Sequence, residues 1–234
     1  MKTPGEERRW FVKRAGAALV GAALYAPALA AQSASPASKE KEAEEVSPTE
    51  DLMREHGVLN RILLIYDEIE RRIDARRDYD PKVVTASAGI IRKFIEQYHE
   101  KLEENYLFPR FIQAGRLTDL VQVLLIQHAA GRDVTARILQ LANARTQLER
   151  AHLRDAIRSF VRMYRPHEAR EDTVLFPELH HIVSQHEFDS LGEEFENQER
   201  QSFGADGFET MVSEVGGLEK QLGIFDLAQF TPKS

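Results

Sequence analysis

Residues 99–109 read HEKLEENYLFP, and residues 167–177 read HEAREDTVLFP. Laid one on the other, His, Glu, Glu, Leu, Phe and Pro coincide, and Glu104 meets another acid, Asp172. The copies start 68 residues apart, so the repeating unit is half a bundle rather than a short tandem unit. Each copy sets a His four residues before a Glu: His99 with Glu103, His167 with Glu171. On a helix those positions lie one turn apart on one face. Two such helices facing each other aim two imidazoles and two carboxylates at one point, an arrangement that holds a metal pair inside a bundle.

Outward from the repeat, the apolar pattern is helical throughout. Leu52, His56, Leu59, Leu63, Tyr66, Ile69 and Ile73 form one stripe, with Ser47 or Thr49 as its cap and Pro48 in its first turn. Asp80-Pro81 opens a second helix with the stripe Val84, Ala88, Ile91, Ile95, His99, Glu103 and Tyr106, closed by Gly115. A third, capped by Thr118, carries Val121, Leu124, His128, Thr135 and Ile138. A fourth, from about Leu148, carries Leu153, Ile157, Phe160, Tyr164, His167, Glu171 and Leu175. Pro109 and Pro177 are expected to kink or end their helices. No strand-period alternation occurs. The fold expected is all-α, an up-down-up-down four-helix bundle over residues 51–178. Residues 179–234 form a C-terminal extension. Within it, 184–203 and 207–223 are two accessory helices, punctuated by Gly204, Gly207, Gly216 and Gly217 and expected to cover one end of the bundle.

His56, His99, His128 and His167 share the stripes with Leu, Ile and Phe, and so do Glu103 and Glu171. A lone core His satisfies itself with one hydrogen bond. Six polar groups on one set of inward faces are another matter. Each costs roughly 2–7 kcal/mol to bury unpartnered, against a total stability of about 5–15 kcal/mol. Metal ions are the common partner that offsets this. The chain has no Cys, which removes thiolate zinc and iron–sulfur chemistry. Imidazole and carboxylate from four faces suit an iron or manganese pair, with two carboxylates able to bridge. A single zinc takes four ligands and leaves two groups stranded.

The order His, HxxxE, His, HxxxE over four helices, with LFP closing each repeat, resembles the hemerythrin family, specifically its bacterial HHE cation-binding branch. The resemblance covers residues 51–178 and, more loosely, 180–223. It implies a non-haem di-iron centre of two iron ions. His56 and His99 would serve one iron, His128 and His167 the other, and Glu103 and Glu171 would bridge. It also implies a small ligand, O₂, nitric oxide or peroxide, at an open iron position. Oxygen carriers of the family place a second His four residues after that of helix three; here that position is Arg132. Their fourth-helix carboxylate lies five residues after its His, where this chain has Glu171 at four and Asp172 at five. One iron is a ligand short unless Glu100, Glu104, Glu168 or Asp172 fills in, which shifts weight from oxygen carriage to sensing, scavenging or redox chemistry. Tyr106 and Tyr164, one turn from these residues, are either donors to a bound species or core aromatics. A ferritin-like centre would need a lone Glu on helix three, and none lies between Thr118 and Arg145. His180, His181 and His186 read as surface residues.

Residues 1–30 have the form of an export signal: Arg8 and Arg9, an apolar run from Ala15 to Ala26, and Ala28-Leu29-Ala30 for cleavage. Arg8 to Lys13 resembles the twin-arginine motif, departing at Glu7, and the destination expected is the periplasm; an ordinary secretory signal is the alternative. The run is too short to span a membrane. Residues 31–50, rich in Ser, Ala, Pro, Lys and Glu, read as a flexible linker. The chain of 234 residues carries a net charge of −7. Removing residues 1–30 takes away five basic and two acidic residues and leaves −10, which argues against nucleic acid and anionic membrane as partners. Three functions compete: a binding protein for a small ligand, a di-iron enzyme turning over peroxide or nitric oxide, and an interaction module with structural metals. The open position speaks against the third. Binding, for sensing, scavenging or delivery, is the reading carried forward, with no catalytic residue assigned.

Overall fold

A computed structural model describes residues 46–232. The expected export signal, and the expected linker up to Glu45, lie outside those residues. Pro48–Glu50, read as the end of the linker, are already helix. Helix α1 (Pro48–Asp74) is capped by Ser47, whose hydroxyl accepts the Glu50 N–H at 3.2 Å. Glu50 and Asp51 in its first turn and Arg71 and Arg72 in its last complement the helix dipole. Helix α2 (81–114) starts at Pro81 after Asp80, which caps Lys82, and stops at Gly115, φ 63°. Helix α3 is Thr118–Leu141. Helix α4 (147–182) opens on a capping box in which Thr146 and Glu149 satisfy each other's backbone N–H groups. Helices α5 (Gln185–Phe203) and α6 (Gly207–Leu222) follow, and no strand occurs among the described residues. No described helix is long and apolar enough to cross a membrane.

The first four helices form a closed ring in which α1 lies beside α2 and α4, and α3 beside α2 and α4. Outer ion pairs show the antiparallel run of α1 and α4. Asp67 meets Arg165, Glu70 meets Arg158 and Asp74 meets Arg154, numbers rising on one helix as they fall on the other. Such exposed pairs add little stability; the core comes from the stripes. Leu59, Ile62, Tyr66, Ile91, Phe94, Leu124, Ile138, Ile157 and Phe160 are all buried.

Four expectations change. Pro109 and Pro177 do not end their helices. Each follows a short π-helical turn, Glu103–Leu107 and Glu171–Leu175, whose last bond runs from Phe108 N–H to the Glu103 carbonyl, or from Phe176 N–H to that of Glu171. The bonding register shifts just where a proline without an N–H would otherwise interrupt it. Thr118 does not cap α3: Leu117 occupies the cap position in the left-handed region, φ 51°, with no side-chain bond. Gly115, two residues before Leu117, is left-handed as well. Gly216 and Gly217 lie inside α6. A Cβ on Gly216 would stand 3.2 Å from the Arg61 guanidinium, which is bonded to Glu219. Finally, the accessory helices cover a side of the bundle, not an end. Helix α5 follows α2, from Arg110–Glu187 to the rings of Phe94 and Phe203. Helix α6 follows α1, from Arg54 over Phe208 to Arg72 on the Leu222 carbonyl.

Candidate metal centre

All six residues singled out by the stripes meet in the middle of the bundle. His56, His99, His128 and His167 are at most 4% exposed, and Glu103 and Glu171 are fully buried. The imidazoles stand in two pairs, His56 with His99 at 4.6 Å between ring centres and His128 with His167 at 5.0 Å. Each carboxylate lies between the pairs. Glu171 Oε2 is 3.4 Å from His56 Nε2 and 3.1 Å from His167 Nε2. Glu103 Oε2 is 3.7 Å from His99 Nε2 and 3.5 Å from His128 Nε2. Two trios, His56–His99–Glu103 and His128–His167–Glu171, each have ligand atoms within 4.8 Å of one another, as a metal ion requires.

The other nitrogen of every ring is tied down. Nδ1–H of His56 donates to Asp172 at 2.7 Å, that of His99 to Glu55 at 2.7 Å, that of His128 to Glu104 at 3.1 Å and that of His167 to the Gln127 amide oxygen at 2.9 Å. This fixes the tautomer with the Nε2 lone pair pointing inward, as outer partners of metal-bound histidines do. The bonds obey a twofold pattern. The residue before each lone histidine (Glu55, Gln127) holds the repeat histidine of the next helix. The acid after each central glutamate (Glu104, Asp172) holds a lone histidine. The Phe of each LFP then stacks on that same lone ring: Phe108 on His128 at 5.5 Å and Phe176 on His56 at 5.6 Å.

Asp172 and Glu104, expected as possible extra ligands, are thus engaged on Nδ1 atoms. Glu100 is engaged too: Tyr164 donates to one of its oxygens at 2.8 Å and Arg132 to the other at 2.6 Å. Of the four candidates, Glu168 alone has a buried oxygen without a hydrogen-bond partner, and burial pushes its pKa up to about 7. Tyr106 turns outward and donates to Glu194 of α5, so neither tyrosine hydroxyl faces the histidines. His180, His181 and His186 are exposed. Reading the sequence missed Glu55 and Gln127. The signal was present: each lone histidine is directly preceded by a polar residue able to accept a hydrogen bond.

Without a cation this centre is badly balanced. Both oxygens of Glu103, both of Glu171 and Nε2 of His128 have no hydrogen-bond partner. Burial, then the charge of Glu171, drives the Glu103 pKa well up. Burial also works against the ionised form of Glu171, but His167 and His56 outweigh it and hold its pKa below the usual carboxylate range. Burial drops His99 and His128 below the ordinary imidazole value. Four stranded carboxylate oxygens facing inward imidazole nitrogens are what a bound metal satisfies, and the donor set fits hard or borderline metals.

The hemerythrin HHE cation binding domain matches the chain over residues 47–179. The chain belongs to this family, and its buried His and Glu clusters are compatible with a metal site. Uncharacterized proteins of Mycobacterium tuberculosis and Mycobacterium bovis are each 49% identical to it over 190 residues, covering 80% of this chain and 74% of theirs. No solved structure matches it significantly.

Proposed function

We propose that the protein is a non-haem di-iron protein of hemerythrin type that binds O₂ or a related small ligand, nitric oxide or peroxide, for sensing, scavenging or delivery. The position of each central carboxylate carries this reading: one oxygen of Glu103 and one of Glu171 lie within 3.1–3.7 Å of an imidazole from each pair. Such a carboxylate is set to bridge two ions, and each histidine to serve one. The iron pair, when bound, supplies an open position for a diatomic ligand and electrons to stabilise it. The protein's own residues do the rest. Nδ1 bonds orient the rings, Phe108 and Phe176 wall the lone histidines, and the stripes above and below exclude water. Glu168 is the remaining candidate for an extra ligand. An enzyme turning over peroxide or nitric oxide is the second reading. We also propose that the chain is exported through its twin-arginine-like start and works in the periplasm.

Metal analysis of protein made in iron-replete medium should give about two irons per chain. One tight zinc and no iron would overturn the di-iron reading. Anaerobic reduction followed by O₂ addition then separates the functions. A stable, reversible absorption change marks binding, and immediate irreversible loss marks redox turnover.

A further inference from the structure

Arg132 lies on α3 one turn beyond His128, and its Nη2 is shared between two carboxylates. It donates to Glu100 Oε2 at 2.6 Å and also to Glu104 Oε1. Glu100, Glu104 and His128 themselves form a third group whose ligand atoms lie within 4.8 Å of one another. The guanidinium therefore stands where a divalent cation would bind. The rest of the surroundings make that place rigid. Glu100 is 1% exposed, and its other oxygen is held by Tyr164. The Tyr164 hydroxyl reaches it only because residue 131 is Gly: a Cβ there would lie 2.0 Å from that oxygen. Lys101 takes the far oxygen of Glu104. At the twofold-related place on α1, four residues after His56, stands Asn60, whose amide bonds only the His56 carbonyl in the helix below. The device is one-sided.

We propose that Arg132 is a built-in cation that fills a latent divalent-metal site at Glu100 and Glu104, beside His128, and so confines metal to the pair of clusters around Glu103 and Glu171. A guanidinium keeps its charge at every relevant pH and forks onto carboxylates. Being tethered, it acts at an effective concentration of roughly millimolar or more, which free metal at micromolar levels does not match. Its second effect is to hold Glu104 on Nδ1 of His128, leaving Nε2 for the centre.

The test is manganese(II) binding to the purified metal-free chain, read by the resonance of free manganese and by elemental analysis. Arg132→Ala and Arg132→Gln should each bind one ion per chain more than wild type. Arg132→Lys, which keeps the charge, should bind the wild-type number, and Arg132→Ala with Glu104→Gln should return to it. The proposal is overturned if Ala and Gln variants bind no more than wild type, or if the extra ion survives Glu104→Gln. Should Arg132→Ala not fold alone, refolding on manganese addition that Glu104→Gln abolishes supports the latent site. Failure to refold, with no extra ion in Arg132→Gln, overturns it. The readout is a difference from wild type, so it stands apart from the di-iron reading: wild type binding no ion would end that reading without deciding this one.

Discussion

At the scale of single residues, the centre divides its labour by atom. Nε2 of each histidine faces inward and Nδ1 outward, while each central glutamate touches both imidazole pairs. A group that reaches both ions should disturb both when lost, and a group that reaches one should disturb mainly that one. Glu103→Ala or Glu171→Ala is therefore expected to bring the iron content down to one per chain or none and to abolish magnetic coupling, while His56→Ala retains more iron. Iron stoichiometry and Mössbauer spectra of the three variants check this; a full, coupled pair in either Glu variant contradicts it. The six central residues were legible in the sequence because polar groups in phase with Leu and Ile have nowhere to go but the core. Their outer partners were not, because Glu55 and Gln127 act across helices, on His99 and His167. Periodicity ranks residues along one helix and carries no information on which neighbour a side chain will find.

At the scale of elements, helix count, order and the ends of the first two helices followed from local chemistry: Ser47 before Pro48, Asp80 before Pro81, Gly115 after Ala114. What stayed hidden was tertiary. The π turns beneath the repeats leave no mark on the apolar stripe, and the left-handed Leu117 is set by a reversal that its packing against the core supports. Helices α3 and α4 meet closely at Gly131, where a Cβ would lie 2.0 Å from the Tyr164 hydroxyl and 2.8 Å from its ring carbon Cζ. Gly131→Ala should destabilise the metal-free protein by about 1–3 kcal/mol through overpacking, despite the better helix propensity of Ala. Adding Tyr164→Phe should recover only part of that loss, since Cζ remains close. Chemical denaturation of the two variants and of Tyr164→Phe alone measures it; a neutral or stabilising Gly131→Ala would show that the two helices yield easily.

For the whole molecule, the buried ionisable groups couple stability to pH. Burial pushes Glu55 up to about 8 from an ordinary 4.5. For His56 burial acts downward, but its bonds to Asp172 and Glu171 outweigh it and raise it from 6.5 to about 10. Above pH 6.5 the unfolded chain has already released these protons, while the folded, metal-free chain still holds them. Between pH 6.5 and 8 the folded state thus binds more protons than the unfolded one, and stability falls as pH rises, by up to about 1.4 kcal/mol per pH unit for each group. The lowered His99 and His128 act only below 6.5 and do not oppose this. The unfolding midpoint of metal-free protein should therefore fall steadily over that window. Metal-loaded protein should show a shallower dependence, because a bound ion replaces the proton on His56. Equal slopes with and without metal would show that His56 is not among the groups the metal engages.

The paired π turns bear on how this chain tolerates change in length as opposed to change in letter. Within Glu103–Leu107 and Glu171–Leu175 the two copies already differ, with Asn105 against Thr173 and Tyr106 against Val174. Side chains at those two positions are negotiable. The number of residues is not, because a π turn holds one residue more than the α-turn it replaces. Removing any one of the five would let the helix close into ordinary α bonding with the register on either side kept. The proline would then sit inside unbroken α bonding, where its ring meets the carbonyl four residues before it and no N–H makes the bond. A gene encoding this protein can drift in spelling at those two codons of each copy, but a three-base deletion within the turn should cost about 3 kcal/mol or more, as a proline inside a helix does.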